Sequence, residues 1–171
     1  MIVDFSTIIK EWASKYKPML HVDPTPTKKG NQRVFLFENI MTIPQFMGKL
    51  PMNQSPCVGF EYLPEGSLKG GKFKAEYTVH FMVCQGTVKP TDKDASNRAT
   101  QECMKHLIAF VNWIRLQQQN GRKEVQNIDL ESTELRIAPY GPFLNGWYDV
   151  YLTLDNVETY SMCADETDYT E

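Results

Sequence analysis

The sequence predicts an α+β domain in which an antiparallel β-sheet has a long helix and an N-terminal helix packed on one face. Residues 73–83 alternate strictly between apolar and polar side chains, which is typical of a long strand with one buried face. Apolar residues recur at helical spacing between positions 99 and 114, which indicates an amphipathic helix. The strand-like segments come in pairs joined by short turns, and this order favours antiparallel pairing beneath helices.

The chain begins with a predicted amphipathic helix over residues 4–17. Asp4 or Ser6 is suited to cap its first turn, and Pro18 cannot continue it. The apolar residues of this segment recur at spacings of three and four and therefore share one face: Phe5, Ile8, Ile9, Trp12 and Tyr16. We expect that face to pack on the sheet.

Three elements are predicted between the first helix and the long strand. Aromatic and β-branched residues favour a strand over residues 33–38 and another over residues 57–63. Residues 40–49 fit a short helix between them. The glycine-rich residues 64–72 predict a turn at the tip of a hairpin that leads into the long strand at 73–84.

The second half of the chain predicts the main helix and a final pair of strands. The helix is expected over residues 91–119, where Thr91 and Asp94 resemble a capping box at its start. Strands are expected over residues 133–138 and 147–155, and in the second of these apolar residues from Tyr148 to Leu154 alternate with polar ones.

Length and charge indicate one domain and a distinct tail. A chain of 171 residues suits a single α+β domain, which we place at residues 1–157. The net charge is −3, and residues 158–171 hold five acids and no Lys or Arg, which leaves 16 acids (21 minus 5) against 18 bases elsewhere. The acidic tail is predicted to be either a disordered end or an arm that orders against a neighbouring subunit.

The motifs that mark common enzyme classes do not occur in the sequence. The four cysteines contain no CxxC pair, the three histidines form no HExxH pattern, and no GxSxG segment occurs. Cys103 falls on the apolar stripe of the main helix and is predicted to be a core residue. His80 falls on the polar side of the long strand and is predicted to be structural or solvated. We therefore expect no catalytic residue, no cofactor and no metal, with carboxylates brought together by the fold as the open alternative.

Six residues form the predicted interaction surface. Three lysines lie near the hairpin tip, and three apolar residues lie in or beside the turn PYGPFLNG: Lys69, Lys72, Lys74, Phe143, Leu144 and Trp147. The lysines could contact phosphates, but we favour a role in solubilising the hairpin and guarding a sheet edge. The two prolines stiffen the apolar turn, which suits docking on a partner and packing on its own domain equally well.

The order of these elements resembles that of the tail-terminator and tail-completion (head–tail joining) proteins of tailed bacteriophages and prophages. The resemblance covers roughly residues 1–157 and rests on element order and strand character. It comprises an N-terminal amphipathic helix, the long strand KFKAEYTVHFMV, the helix SNRATQECMKHLIAFVNWI after a polar link, and a final strand that reads GWYDVYLTLDN.

That resemblance implies a structural virion component without catalytic residues, which forms a ring, often of six copies, at the head-proximal end of the tail. It implies partners among sister copies and other tail or connector proteins, and a place in the bacterial cytoplasm and then in the virion tail. The composition itself disfavours nucleic acid and membrane as partners, and the first residues do not read as a secretion signal. The alternative is a cytoplasmic small-ligand-binding domain or an enzyme, with a pocket between helix and sheet lined by four aromatic residues: Tyr77, Phe81, Tyr148 and Tyr151.

Overall fold

The computed structural model describes residues 4–37, 43–61, 65–69, 72–86, 92–131, 137–140 and 146–159. At residues 43–44, 65–69, 72–74, 137–140 and 157–159 it describes the backbone alone. The predictions made for Phe143 and Leu144, and for residues 160–171 of the acidic tail, fall outside the described residues.

Three α-helices and seven strands are present in this part of the chain. The helices are α1 (Phe5–Lys15), α2 (Ile43–Met47) and α3 (Lys93–Gln119). The strands are β1 (Val34–Phe37), β2 (Cys57–Glu61), β3 (Glu65–Lys69), β4 (Lys72–Cys84), β5 (Ile128–Asp129), β6 (Ile137–Tyr140) and β7 (Trp147–Thr159). Short 3₁₀ turns lie at Met52–Gln54 and Lys123–Val125. The α+β fold class predicted from the sequence is confirmed.

The centre of the sheet is an antiparallel ladder of β4 and β7, each 13 residues long. The ladder runs from Lys72 opposite Thr159 to Cys84 opposite Trp147. β2 and β3 pair antiparallel with successive parts of β4, and β6 and β5 do the same along β7. β1 is the exception, because it pairs with β2 in parallel. The sheet is therefore mostly antiparallel, with the order β1-β2-β4-β7-β5.

Helices α1 and α3 cover one side of the sheet, which we call the helix face. Every second residue of the central ladder is buried there, as the alternation predicts: Ala75, Tyr77, Val79, Phe81, Val83, Tyr148, Val150, Leu152 and Leu154. The ring of Phe5 stacks 4.7 Å from that of Tyr77, and the ring of Phe110 lies 5.1 Å from that of Trp12. Cys103 is fully buried in this layer, so its prediction as a core residue is confirmed.

The opposite side of the sheet, which we call the second face, is covered at the end where β4 stops and β7 starts. Parallel strands cannot be joined by a tight turn, so the chain crosses the sheet between β1 and β2, and this crossing connection contains α2. Its apolar residues form a small cluster with those of the strands: Phe35, Phe37, Met47, Leu50, Cys57, Met82 and Trp147. The prediction of two helices on one face thus holds for α1 and α3, and α2 belongs to the other face.

Three local predictions need correction. The turn predicted over residues 64–72 contains strand β3, whose residues pair with the start of β4. The N-cap of α3 is Asp92, whose side chain accepts a hydrogen bond from the Ala95 backbone N–H at 2.9 Å, and Thr91 of the predicted capping box lies outside the described residues. The strand predicted over residues 133–138 is observed at Ile137–Tyr140, and residues 133–136 lie outside the described part of the chain.

Candidate functional site

Two described residues of the predicted interaction surface, Lys72 and Trp147, lie at opposite ends of the β4–β7 ladder. Lys72 is paired with Thr159 at one end, and Trp147 is paired with Cys84 at the other. A strand of this length extends for about 40 Å, at about 3.3 Å per residue. The lysines and Trp147 are therefore separated by most of the length of the ladder.

Trp147 is fully buried, and this corrects its assignment to an interaction surface. It belongs to the apolar cluster on the second face, where its indole Nε1–H donates a hydrogen bond to the Leu50 carbonyl oxygen at 3.3 Å. Its position just after a turn suggested exposure. The crossing connection that covers it comes from a distant part of the sequence, which a local pattern does not reveal. Trp147 anchors that connection on the sheet.

The three lysines are brought together at the far end of the sheet, and we call this group the lysine tip (Lys69, Lys72 and Lys74). Residues directly opposite each other in an antiparallel pair share a face, as do residues two positions apart along a strand. Lys69 is opposite Lys72, and Lys74 lies two residues further along β4. The register therefore places all three lysines on the second face.

A buried charged cluster lies on the second face, beneath the crossing connection. His80 Nδ1 is 2.6 Å from Asp149 Oδ2, and His80 Nε2 is 3.6 Å from Glu61 Oε1. The side chains of His80 and Asp149 are 0% and 2% exposed, whereas that of Glu61 keeps 19% of its surface in contact with solvent. Within the described part of the chain, His80 Nε2 and Asp149 Oδ1 have no hydrogen-bond partner.

Adjacent strands and two aromatic rings hold His80 in place. The three side chains of the cluster come from β2, β4 and β7, which are neighbours in the sheet. Gly59 is opposite His80 on β2, and the Phe37 ring occupies the space where a side chain at that position would lie. This ring lies 6.0 Å from the imidazole, nearly perpendicular to it, and the ring of Tyr151 lies 5.5 Å away. These rings help to separate the imidazole from solvent.

Burial and the neighbouring carboxylates shift the pKa of His80 in opposite directions. Burial lowers the pKa of His80, but the carboxylates of Asp149 and Glu61 together outweigh burial and raise the pKa to about 9. Burial raises the pKa of Asp149, while the hydrogen bond from His80 lowers it. Because two carboxylates act on one imidazole, we take the raised pKa of His80 to determine the protonation state of the pair. At neutral pH His80 is then an imidazolium paired with the Asp149 carboxylate.

The geometry assigns this cluster a structural role. A general acid or base must come within about 3 Å of the reacting atom, and His80 has no surface through which a substrate can be reached. No group of three or more His, Cys, Asp or Glu side chains in the described residues is arranged to hold a metal ion. Sequence reasoning placed His80 correctly on the polar side of the strand but missed its burial, because the covering segment and the strand register are not visible in the alternation.

The alternative ligand pocket is not assembled as predicted. Tyr77, Phe81 and Tyr148 lie on the helix face, whereas Tyr151 lies on the second face beside His80. The space between α3 and the sheet near Phe81 is occupied by other rings, with Phe110 at 5.7 Å and Trp12 at 6.0 Å from the Phe81 ring. The four residues therefore do not line a common cavity.

An open hollow of about 650 Å³ lies at the C-terminal end of α3, beside β5. Its lining mixes one guanidinium, from Arg115, with carboxylates from Asp129 and Glu131 and several amide side chains. Gln118, one of the lining residues, donates hydrogen bonds to the carbonyl oxygens of Val125 and Ile128, at 2.9 and 2.7 Å. This mixture of charges does not single out one class of ligand.

Comparison with models of known protein families and with curated proteins gives no match to this chain. Within the described residues, no helix combines the length and the apolar character needed to cross a membrane.

Proposed function

We propose that this chain is a structural component of phage or prophage tail assembly, of the terminator or completion type, which works as a ring of sister copies. In that role it contacts other tail or connector proteins and carries out no reaction. The observation that carries the proposal is the order of elements: α1, then strands ending in the long β4, then α3, then strands ending in the long β7. This is the order on which the resemblance to those proteins rests.

The edges of the sheet offer a physical basis for contact between copies. Among the described strands, β1 pairs only with β2, and on the other side of the sheet β5 and β6 pair only with β7. A strand with an unpaired edge is a ready template for another chain. Two different edges on one rigid sheet permit head-to-tail contacts, which close into a ring when the rotation between copies allows it.

The side chains at one of these edges fit a contact surface. Leu36 on β1 is 47% exposed although its neighbours Phe35 and Phe37 are buried. An apolar side chain exposed on an edge strand is unfavourable in water and gains from burial against a partner.

Native mass spectrometry of the purified chain tests the proposal. We expect a closed oligomer with one defined number of copies, and rings in negatively stained electron micrographs. Leu36→Lys should reduce the oligomer because a lysine on an edge strand opposes pairing with another strand. A chain that remains monomeric at the highest attainable concentration, alone and mixed with tail and connector proteins, would contradict the proposal.

Ile108→Lys is the matched control for Leu36→Lys. Ile108 lies on α3 and is 50% exposed, close to the 47% of Leu36, so the two substitutions place the same charge on similarly exposed apolar positions. We expect Ile108→Lys to leave the oligomer intact. If both variants lose the oligomer equally, the added charge in general, and not the β1 edge, accounts for the effect.

A further inference from the structure

We propose that residues 20–33 form a strap that stays closed while His21 is neutral and opens locally in mild acid, when the His21 ring takes up a second proton. The strap connects α1 to the edge strand β1 and folds back on itself as a narrow loop. This inference goes beyond the proposed function and does not depend on it, because every contact involved lies within one copy.

Polar contacts close the strap. The backbones of Val22 and Asn31 exchange two hydrogen bonds of 2.9 Å each. The side-chain amide of Asn31 donates to the carbonyl oxygens of Met19 and Leu20, at 2.8 Å each. Residues 20–33 are all described, and His21 is the only one of them that is buried. Apolar burial therefore contributes little to the closed strap, and a change at His21 acts on the one side chain that is packed inside.

Two residues in the left-handed region of backbone conformation lie where the strap begins and where it turns back. Leu20 has a φ of 47° and Gly30 has a φ of 64°. A glycine adopts this conformation readily, whereas it costs a leucine free energy. The Leu20 side chain is 53% exposed, so packing does not repay that cost. The closed strap therefore begins at a strained residue and depends on its polar contacts to stay closed.

The partners of His21 decide which ring nitrogen carries the proton. A backbone N–H can only donate, so His21 Nδ1, which lies 3.0 Å from the Arg33 backbone nitrogen, must accept and carries no proton. The ring proton is then on Nε2, which donates to Asp23 Oδ1 at 3.2 Å. A proton added at Nδ1 places two donors against each other, so the bond that joins the ring to the start of β1 is lost.

The charges around the ring do not offset this loss. They belong to Asp23 in the strap, Lys10 on α1 and Arg33 at the start of β1. Asp23 favours the protonated ring, but its side chain is 53% exposed and pairs with Lys10 at 3.0 Å. Burial lowers the pKa of His21 from its ordinary value of 6.5 and outweighs the raising effects of Asp23 and the Asn31 backbone. The closed strap therefore loses stability as the pH falls below 6.5.

Amide hydrogen exchange resolved by NMR, at pH 7 and at pH 5, tests the strap. The amides to follow are those of Val22, Asn31 and Arg33, which are hydrogen-bonded in the closed strap. Protection is expressed relative to the unfolded chain at the same pH, which removes the intrinsic effect of pH on exchange. We expect it to fall roughly tenfold at pH 5, below a ceiling of about 25-fold for a ring that is protonated only in the open strap. Amides of the central strand β4 should keep their protection.

Three variants assign the response to His21. In His21→Asn the amide oxygen can accept from the Arg33 N–H and takes up no proton, so strap protection should not change with pH. Asp23→Asn removes the carboxylate that attracts the proton, so the fall should move to lower pH, and this exposed position needs no repacking. His106→Gln is the matched control, because His106 is also buried but lies on α3, outside the strap. It should keep the fall in strap protection.

Every other outcome overturns the proposal. Equal strap protection at pH 7 and pH 5 means that protonation does not open it. If β4 loses protection to the same extent, acid unfolds the domain as a whole. A fall that persists in His21→Asn, or stays at the same pH in Asp23→Asn, places the proton on another group. A fall that disappears in His106→Gln assigns it to His106. None of these outcomes depends on whether the chain forms a ring, so a failure of the proposed function is distinguishable.

Discussion

The two faces of the sheet are built by the same alternating strands, yet they enclose different interiors. On the helix face the buried residues of β4 and β7 meet the apolar sides of α1 and α3. On the second face a small apolar cluster lies beside the charged pair of His80 and Asp149. Alternation decides which side chains share a face. Whether a face becomes part of the interior is decided by the segment that covers it, here the connection between β1 and β2.

This difference has an energetic consequence. Apolar burial on the helix face stabilises the fold with little dependence on pH, because the groups involved carry no charge. A buried ion pair is offset by the desolvation of both partners, and its net contribution is small unless one partner is removed. The second face should therefore respond more strongly to pH and to single charge-removing substitutions, and the predictions below test that contrast.

Removing Asp149 should have the largest effect. Asp149→Ala leaves His80 without its 2.6 Å partner in a site that excludes water, and breaking a buried pair typically reduces the free energy of unfolding by about 3–5 kcal/mol. The double variant His80→Leu with Asp149→Leu should recover most of that loss, because it removes both charges together. Urea unfolding of the three proteins gives the comparison. A loss below about 1 kcal/mol for Asp149→Ala would mean that the pair does not hold the second face.

The pH dependence of stability should be the next largest effect. The folded-state pKa of His80 is raised from 6.5 to about 9, so its contribution is fully present below pH 6.5 and is lost as the pH rises toward 9. That shift corresponds to a loss on the order of 3 kcal/mol across this interval. Urea unfolding at several pH values between 6.5 and 8.5 should show stability falling with pH, and His80→Gln should remove most of this slope.

His106 supplies the control for that measurement. It is also buried, and it accepts or donates a hydrogen bond with the Tyr16 hydroxyl at 2.9 Å, depending on its tautomer. Burial lowers the pKa of His106, against the raising effect of Glu102. Its titration therefore affects stability as the pH falls below 6.5, outside the interval in question. His106→Gln should keep the slope above pH 6.5, and an equal slope in His80→Gln would contradict the assignment to His80.

Much of the fold could be predicted from local patterns. The helical stripe containing Cys103 and Phe110 and the alternation around Phe81 each specify an element and its buried side, and the structure confirms both. These signals are strong because they repeat over many residues within one element. The short β5 at Ile128–Asp129 and the strand β3 were missed, since a strand of a few residues offers too few repeats to distinguish it from a turn.

The charged cluster could not be predicted, because it depends on contacts between distant segments. His80 and Asp149 are 69 positions apart, and they approach because of the register in which β4 and β7 pair. The parallel pairing of β1 with β2 requires a crossing connection, and the apolar residues of that connection pack at this end of the sheet. Neither the register nor the connection leaves a periodic signal in the sequence, so the alternation alone could not decide whether His80 is structural or solvated.

A smaller expected effect tests how the Phe37 ring packs against Gly59 and His80. A β-carbon added at Gly59 would overlap with Cε2 of Phe37, so in Gly59→Ala the Phe37 ring must move away from its place beside His80. We expect a loss of about 1–3 kcal/mol in the free energy of unfolding. In a Phe37→Ala background the same substitution should have almost no effect, because the clashing ring is gone, and this non-additivity is measured by a double-mutant cycle. Additive losses would show that Gly59 is required for a reason other than the Phe37 ring.

Displacing the ring also admits water to His80, which weakens the attraction between the imidazolium and its carboxylates. Gly59→Ala should therefore flatten the stability slope between pH 6.5 and 8.5 as well, and an unchanged slope would show that the ring does not shield the pair.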